Sequence, residues 1–102
     1  MNREQVIATL REHETELKRA GVARVSLFGS VARGEAGPDS DVDVAVELDE
    51  SFSSGGFDYF GQLDELERRL AGILGREVDV VPEPARKERL QAEINRDRVL
   101  AF

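Results

Sequence analysis

The chain has 102 residues, a formal net charge of −7, 40% hydrophobic and 34% charged residues, and no cysteine. That length predicts one small domain spanning 1–102 with a modest core; the composition excludes disulfides and thiolate metal sites, and no apolar run approaches the ~18 residues of a membrane span. The negative balance argues against direct nucleic-acid binding, which draws its affinity from neutralising phosphates, but it leaves room for a small nucleotide carried with a cation or for a basic protein partner.

The opening residues Met1-Asn2-Arg3-Glu4-Gln5 are polar and include an acid, unlike a signal or transit peptide, so the cytoplasm is the expected location. Val6, Ile7, Leu10 and Leu17 recur at helical spacing and predict an amphipathic helix over 3–19. Asn2 is its N-cap, Gln5 completes a capping box, and Gly21 ends it. His13, the single histidine, lies beside the apolar stripe and reads as a packing residue at the helix edge.

Residues 23–29 read as a strand, with Val25 and Leu27 on one face and Phe28 toward the other. A short helical turn over 30–34 and a loop over 35–40 follow. Residues 41–48 alternate: Val42, Val44, Val46 and Leu48 on one face, Asp41, Asp43, Ala45 and Glu47 on the other. The polar stretch 49–56 reads as a surface loop. Phe60, Leu63, Leu66, Leu70 and Leu74 form the stripe of a helix over 58–74, closed by Gly75. Residues 77–81 predict a third strand stopped by Pro82, and Pro84 opens a helix running to about Asn95. The tail 98–102 is a last helical turn or a short edge strand. The order α-β-β-α-β-α predicts a small α/β or α+β layer structure, and the helix between strands 41–48 and 77–81 suits a parallel crossover.

The chemistry sits in this frame. Aspartate is disfavoured inside strands, yet Asp41 and Asp43 share one strand and Asp79 lies in another. Period two puts the first two carboxylates on one face, where they repel. A hard divalent cation with oxygen ligands relieves that repulsion. If strand 77–81 pairs with strand 41–48, Asp79 completes a three-carboxylate cluster of the kind that holds two metal ions. A solvated outer strand face explains the same acids without chemistry, and Asp79 taken alone favours that explanation. Asp39 and Ser40 read as loop and capping residues. Gly29-Ser30 leaves a strand and enters a helix start, where backbone N–H groups point at an anion. Arg33 has the fork that grips a phosphate oxygen. This is no Walker A loop, because the Gly-Lys-Ser/Thr ending is missing.

Gly29-Ser30 followed by Asp41-Val42-Asp43 resembles the signature of the DNA polymerase beta-type nucleotidyltransferase superfamily. The longer run from Leu27 to Gly34, with Ser40-Asp41-Val42-Asp43, is similar to its minimal nucleotidyltransferase branch, small proteins often paired as antitoxins with HEPN-domain toxins. The resemblance covers essentially the whole chain. It implies a palm-like fold, a short mixed sheet with helices packed on it. It implies that Gly29, Ser30 and Arg33 bind the nucleotide phosphates. It also implies that Asp41, Asp43 and Asp79 are catalytic and bind two Mg²⁺ ions, Asp79 helping to activate the acceptor hydroxyl. The expected activity is transfer of AMP from ATP to a tyrosine of a HEPN-type toxin, which silences it. The alternative is an antitoxin that neutralises its toxin by occlusion alone. The chain has no separate acceptor-binding domain, which leaves acceptor recognition to the partner or to loop 49–57. Phe57, Tyr59 and Phe60 read as core packing at a helix start, or Phe57 or Tyr59 as a contact with the partner or the adenine.

Overall fold

The computed structural model describes residues 2–37, 39–53 and 59–102. Helices α1 (Arg3–Glu12) and α2 (Glu14–Arg19) lead into strand β1 (Val22–Phe28) and a five-residue helix α3 (Gly29–Arg33). Strand β2 (Val42–Leu48), a 3₁₀ turn (Glu50–Ser53), α4 (Tyr59–Leu74), β3 (Val78–Pro82), α5 (Glu88–Asp97) and the short β4 (Val99–Leu100) follow. The strands make one mixed sheet in the order β3-β2-β1-β4. β1 runs antiparallel to β2 and β4, while β2 and β3 are parallel. α4 is the crossover that such a parallel pair requires.

The alternation of β2 decides how the layers stack. Val42, Val44 and Val46 join Val25 and Leu27 of β1 in the main core, under Leu66, Leu70 and Leu74 of α4 and Val6 and Leu10 of α1. The opposite face is covered too. Phe28, Ala45 and Ile94 form a second, smaller core in which α5 packs on the acid-bearing side of the sheet. The expected solvated face is therefore partly roofed, and Asp43 beneath that roof is only half exposed.

Several expectations change. The single helix over 3–19 breaks at His13, the shared boundary of α1 and α2. α1 packs on α4 and α2 on β1, so the break re-aims the chain between two partners. His13 pairs with Glu16 at that junction. The capping box of Asn2 and Gln5 is present. In the loop after β2, Phe52 is buried against Gly21, whose backbone lies so close that a Cβ there would fall 2.6 Å from the Phe52 Cα. Sequence polarity hid that core residue. Phe60 is 70% exposed rather than part of the α4 stripe. Pro84 does not open a helix. Residues 83–87 form a loop in which Gln91 accepts from the Ala85 N–H at 2.7 Å, and α5 starts at Glu88. The tail adds β4 as the short edge strand. The expectations for Phe57, for Asp58 as a helix start and for Ser54-Gly55-Gly56 fall outside the described residues.

Candidate active site

Three elements of the sheet bring the predicted residues together. Phe28, the last residue of β1, pairs with Asp43 of β2, and Asp43 pairs with Asp79 of β3. Gly29 follows Phe28 directly and turns the chain into α3 with φ +76°. A Cβ on Gly29 would overlap the Asp43 carboxylate and force it to move. The glycine thus lets the phosphate-type turn and the acid strand touch, which is a stronger requirement than turn geometry alone. α3 has no side-chain cap at its start, so its first N–H groups lack partners within the helix.

The electrostatics centre on Asp43. Burial pushes its carboxyl up to about 6, and the negative charges of Asp79, Glu93 and Asp41 push in the same direction. Asp43 and Asp79 are register partners across β2 and β3, and Asp79 exerts the largest of the like-charge effects on Asp43. Asp41 and Asp79 are exposed, at the mouth rather than under α5. Among the described residues no group of three or more histidine, aspartate or glutamate side chains is placed to hold a metal ion. An open set of carboxylates is what Mg²⁺ accepts, since it keeps waters and takes substrate phosphates as further ligands. The donor chemistry fits a hard cation on two grounds: all the converging donors are oxygens, and their mutual repulsion is what a cation would relieve.

Arg33 is placed differently from the expectation. Its guanidinium donates to Asp97 at 2.8 Å and to Glu35 at 3.2 Å. The Asp97 side chain is only 4% exposed, and bonds from Arg96 and Arg33 hold its carboxyl down at about 2. Arg33 therefore ties α3 to the end of α5. Ser30 is half exposed on the first turn of α3. Glu93 is the residue that sequence reasoning missed. It precedes the buried Ile94 on α5, and only the packing of that helix over β2 reveals its nearness to Asp43.

A family model described as the nucleotidyltransferase domain matches residues 10–100, and the chain belongs to that family. It is 37% identical over 97 residues to the protein adenylyltransferase MntA of Thermococcus cleftensis, a match covering 94% of this chain and 92% of that one. A solved minimal nucleotidyltransferase structure is similar at 35% identity and a TM-score of 0.74, over 97% of this chain and 95% of the other. A toxin–antitoxin structure solved with AMP-PNP shares the fold at 24% identity and a TM-score of 0.68, over all of this chain and 73% of the other. The mixed sheet with flanking helices is thus the minimal nucleotidyltransferase fold. No helix among the described residues is long and apolar enough to cross a membrane.

Proposed function

We propose that this chain transfers AMP from ATP to a tyrosine hydroxyl of a HEPN-domain toxin, and so acts as its antitoxin. The contact of Gly29 with Asp43 carries the reading. It joins an anion-accepting turn to a carboxylate disfavoured by burial and then by like charge, an arrangement with no purpose in a solvated strand face. Occlusion alone needs neither feature.

In this reading the turn at Gly29 and Ser30 receives the phosphates through backbone N–H groups and the serine hydroxyl. Asp41 and Asp43, with Asp79, hold Mg²⁺, which when bound offsets phosphate charge and lowers the barrier to attack at phosphorus. Asp79, exposed at the mouth, takes the proton of the acceptor hydroxyl. The acceptor oxygen then bonds to the α-phosphorus, the bond from that phosphorus to the bridging oxygen breaks, and pyrophosphate leaves. Arg33 acts by holding α3 in place through Asp97. The similarity to an MntA protein adenylyltransferase supports a protein acceptor, and the toxin–antitoxin neighbours support the pairing.

The test is labelling of the purified HEPN partner with ATP carrying label at either the α or the γ phosphate. Label from the α position, and none from the γ position, is expected. Incorporation of γ label, or of neither, contradicts adenylyl transfer.

A further inference from the structure

Phe60, on the first turn of α4, exposes 70% of its surface although it is large and apolar. Its ring meets Tyr59 edge-on with centroids 5.5 Å apart, and Tyr59 meets the buried Phe52 at 5.9 Å. The series begins in the core and ends in solvent. Beside it opens a groove of about 380 Å³, walled by Tyr59, Phe60 and Leu63 of α4, by Val81 and Pro82 of β3, and by Arg86 of the following loop. No carboxylate lines it among the described residues, although the chain carries 21 acids, and Arg86 is its charged group.

The sheet order says which reactant this groove faces. Gly29 and Ser30 leave the end of β1, Asp41 and Asp43 belong to the β2 segment, and Asp79 lies on β3. β3 is the edge strand, and the groove lies along its free side. Neighbouring strands are ~4.8 Å apart, so the acids separate the phosphate turn from the groove. A donor with phosphates on that turn reaches the acids from the β1 side. In-line displacement brings the acceptor from the other side. The groove begins in the strand that carries Asp79, at Val80 directly after it.

The free edge of β3 is poorly suited to adding another strand. The Glu67 carboxylate already accepts from the Val80 N–H at 3.2 Å, and Pro82 has no N–H to offer. Recognition here must come from side chains rather than from a backbone ladder.

We propose that this groove seats an aromatic-bearing segment of the acceptor protein, next to the residue whose hydroxyl is modified, with an acidic side chain of that segment facing Arg86. The inference rests on the transfer reading above and adds where the acceptor docks. Aromatic anchors in apolar pockets dominate interface affinity, and Arg86, with no carboxylate beside it among the described lining residues, selects a partner's carboxylate.

Steady-state transfer from ATP to the HEPN-domain protein of the same genome tests this with Phe60→Ala and Arg86→Glu. Both side chains are exposed, and unchanged melting temperatures establish that each variant folds. Each variant is expected to raise the acceptor KM about tenfold while the ATP KM stays within about twofold. An acceptor KM within twofold of the parent in both variants overturns the proposal. So does a rise in the ATP KM alone, which assigns the groove to the nucleotide base. If the parent chain transfers nothing, the transfer reading fails, and calorimetric binding of the same HEPN protein decides the groove. Tenfold weaker binding to Phe60→Ala then supports the docking surface, and equal affinity overturns it.

Discussion

The backbone of Gly29 passes so close to the Asp43 carboxylate that any side chain there makes the carboxylate move. Gly34 provides an internal comparison: its φ of +74° matches the +76° of Gly29, but a Cβ there meets nothing within 4 Å. Alanine at either position carries the strain of a left-handed backbone, about 1–2 kcal/mol. Only Gly29→Ala also displaces Asp43. AMP-PNP binding measured by calorimetry is therefore expected to vanish in Gly29→Ala and to survive in Gly34→Ala; equal affinities would sink the idea that the contact matters. Asp43 itself gives a pH signature. Burial first, and then Asp79, Glu93 and Asp41, raise it from 3.8 to about 6. The folded chain therefore binds this proton more tightly than the unfolded chain. The associated stability is full below about pH 4 and is lost as pH rises through about 6. A shift of this size is worth about 3 kcal/mol in a dry site, and solvent at this half-exposed group reduces it to about 1 kcal/mol. In chelator, Asp43→Asn should raise the melting temperature by about 4 °C near pH 8 and leave it nearly unchanged near pH 4. A variant no more stable than the parent near pH 8 would contradict the charge repulsion.

At the scale of elements, α3 is too short to hold its own orientation, and two arginines brace it. Arg3 donates to the Ala32 carbonyl at 2.8 Å, and Arg33 reaches the buried Asp97 at 2.8 Å. If the brace sets the phosphate turn, Asp97→Asn weakens AMP-PNP binding severalfold in a chain that still folds, and Asp97→Glu restores part of it. An affinity unchanged in Asp97→Asn, measured by titration calorimetry, would confine Asp97 to a structural role. The turn and the acid strand were legible in the chain because their chemistry is local: Gly29-Ser30 and the alternation from Asp41 to Glu47 lie within contiguous segments. Strand β3 was legible as well, and the crossover helix suited a parallel pairing with β2, but the register that sets Asp79 opposite Asp43 shows only in the structure. What stayed hidden depends on tertiary contact. The break at His13 serves two packing partners, Phe52 sits in a polar stretch, and Arg33 finds Asp97 from 64 residues away. The start of α5 was misplaced because Pro84 suits a first helical turn in isolation. With it went the sight of Glu93 above the acid pair.

On the scale of the whole molecule, the order β4-β1-β2-β3 places the Gly29 turn, then the acids, then the groove side by side, in the order the proposed function needs. The second core beneath α5 is what converts a strand face into a site, because it takes Asp43 partly out of water while leaving Asp41 and Asp79 at the mouth. In the proposed function the acceptor protein brings its hydroxyl to Asp79. Catalysis, and not docking alone, is the central claim. Its most direct measurement is the intact mass of the HEPN partner after incubation with ATP, Mg²⁺ and either the parent chain or the folded Asp41→Asn/Asp43→Asn variant. The account predicts mass gains of whole AMP units with the parent chain and a rate at least ~100-fold lower with the variant. Equal modification by both chains, or an unmodified partner with the parent chain, would contradict it.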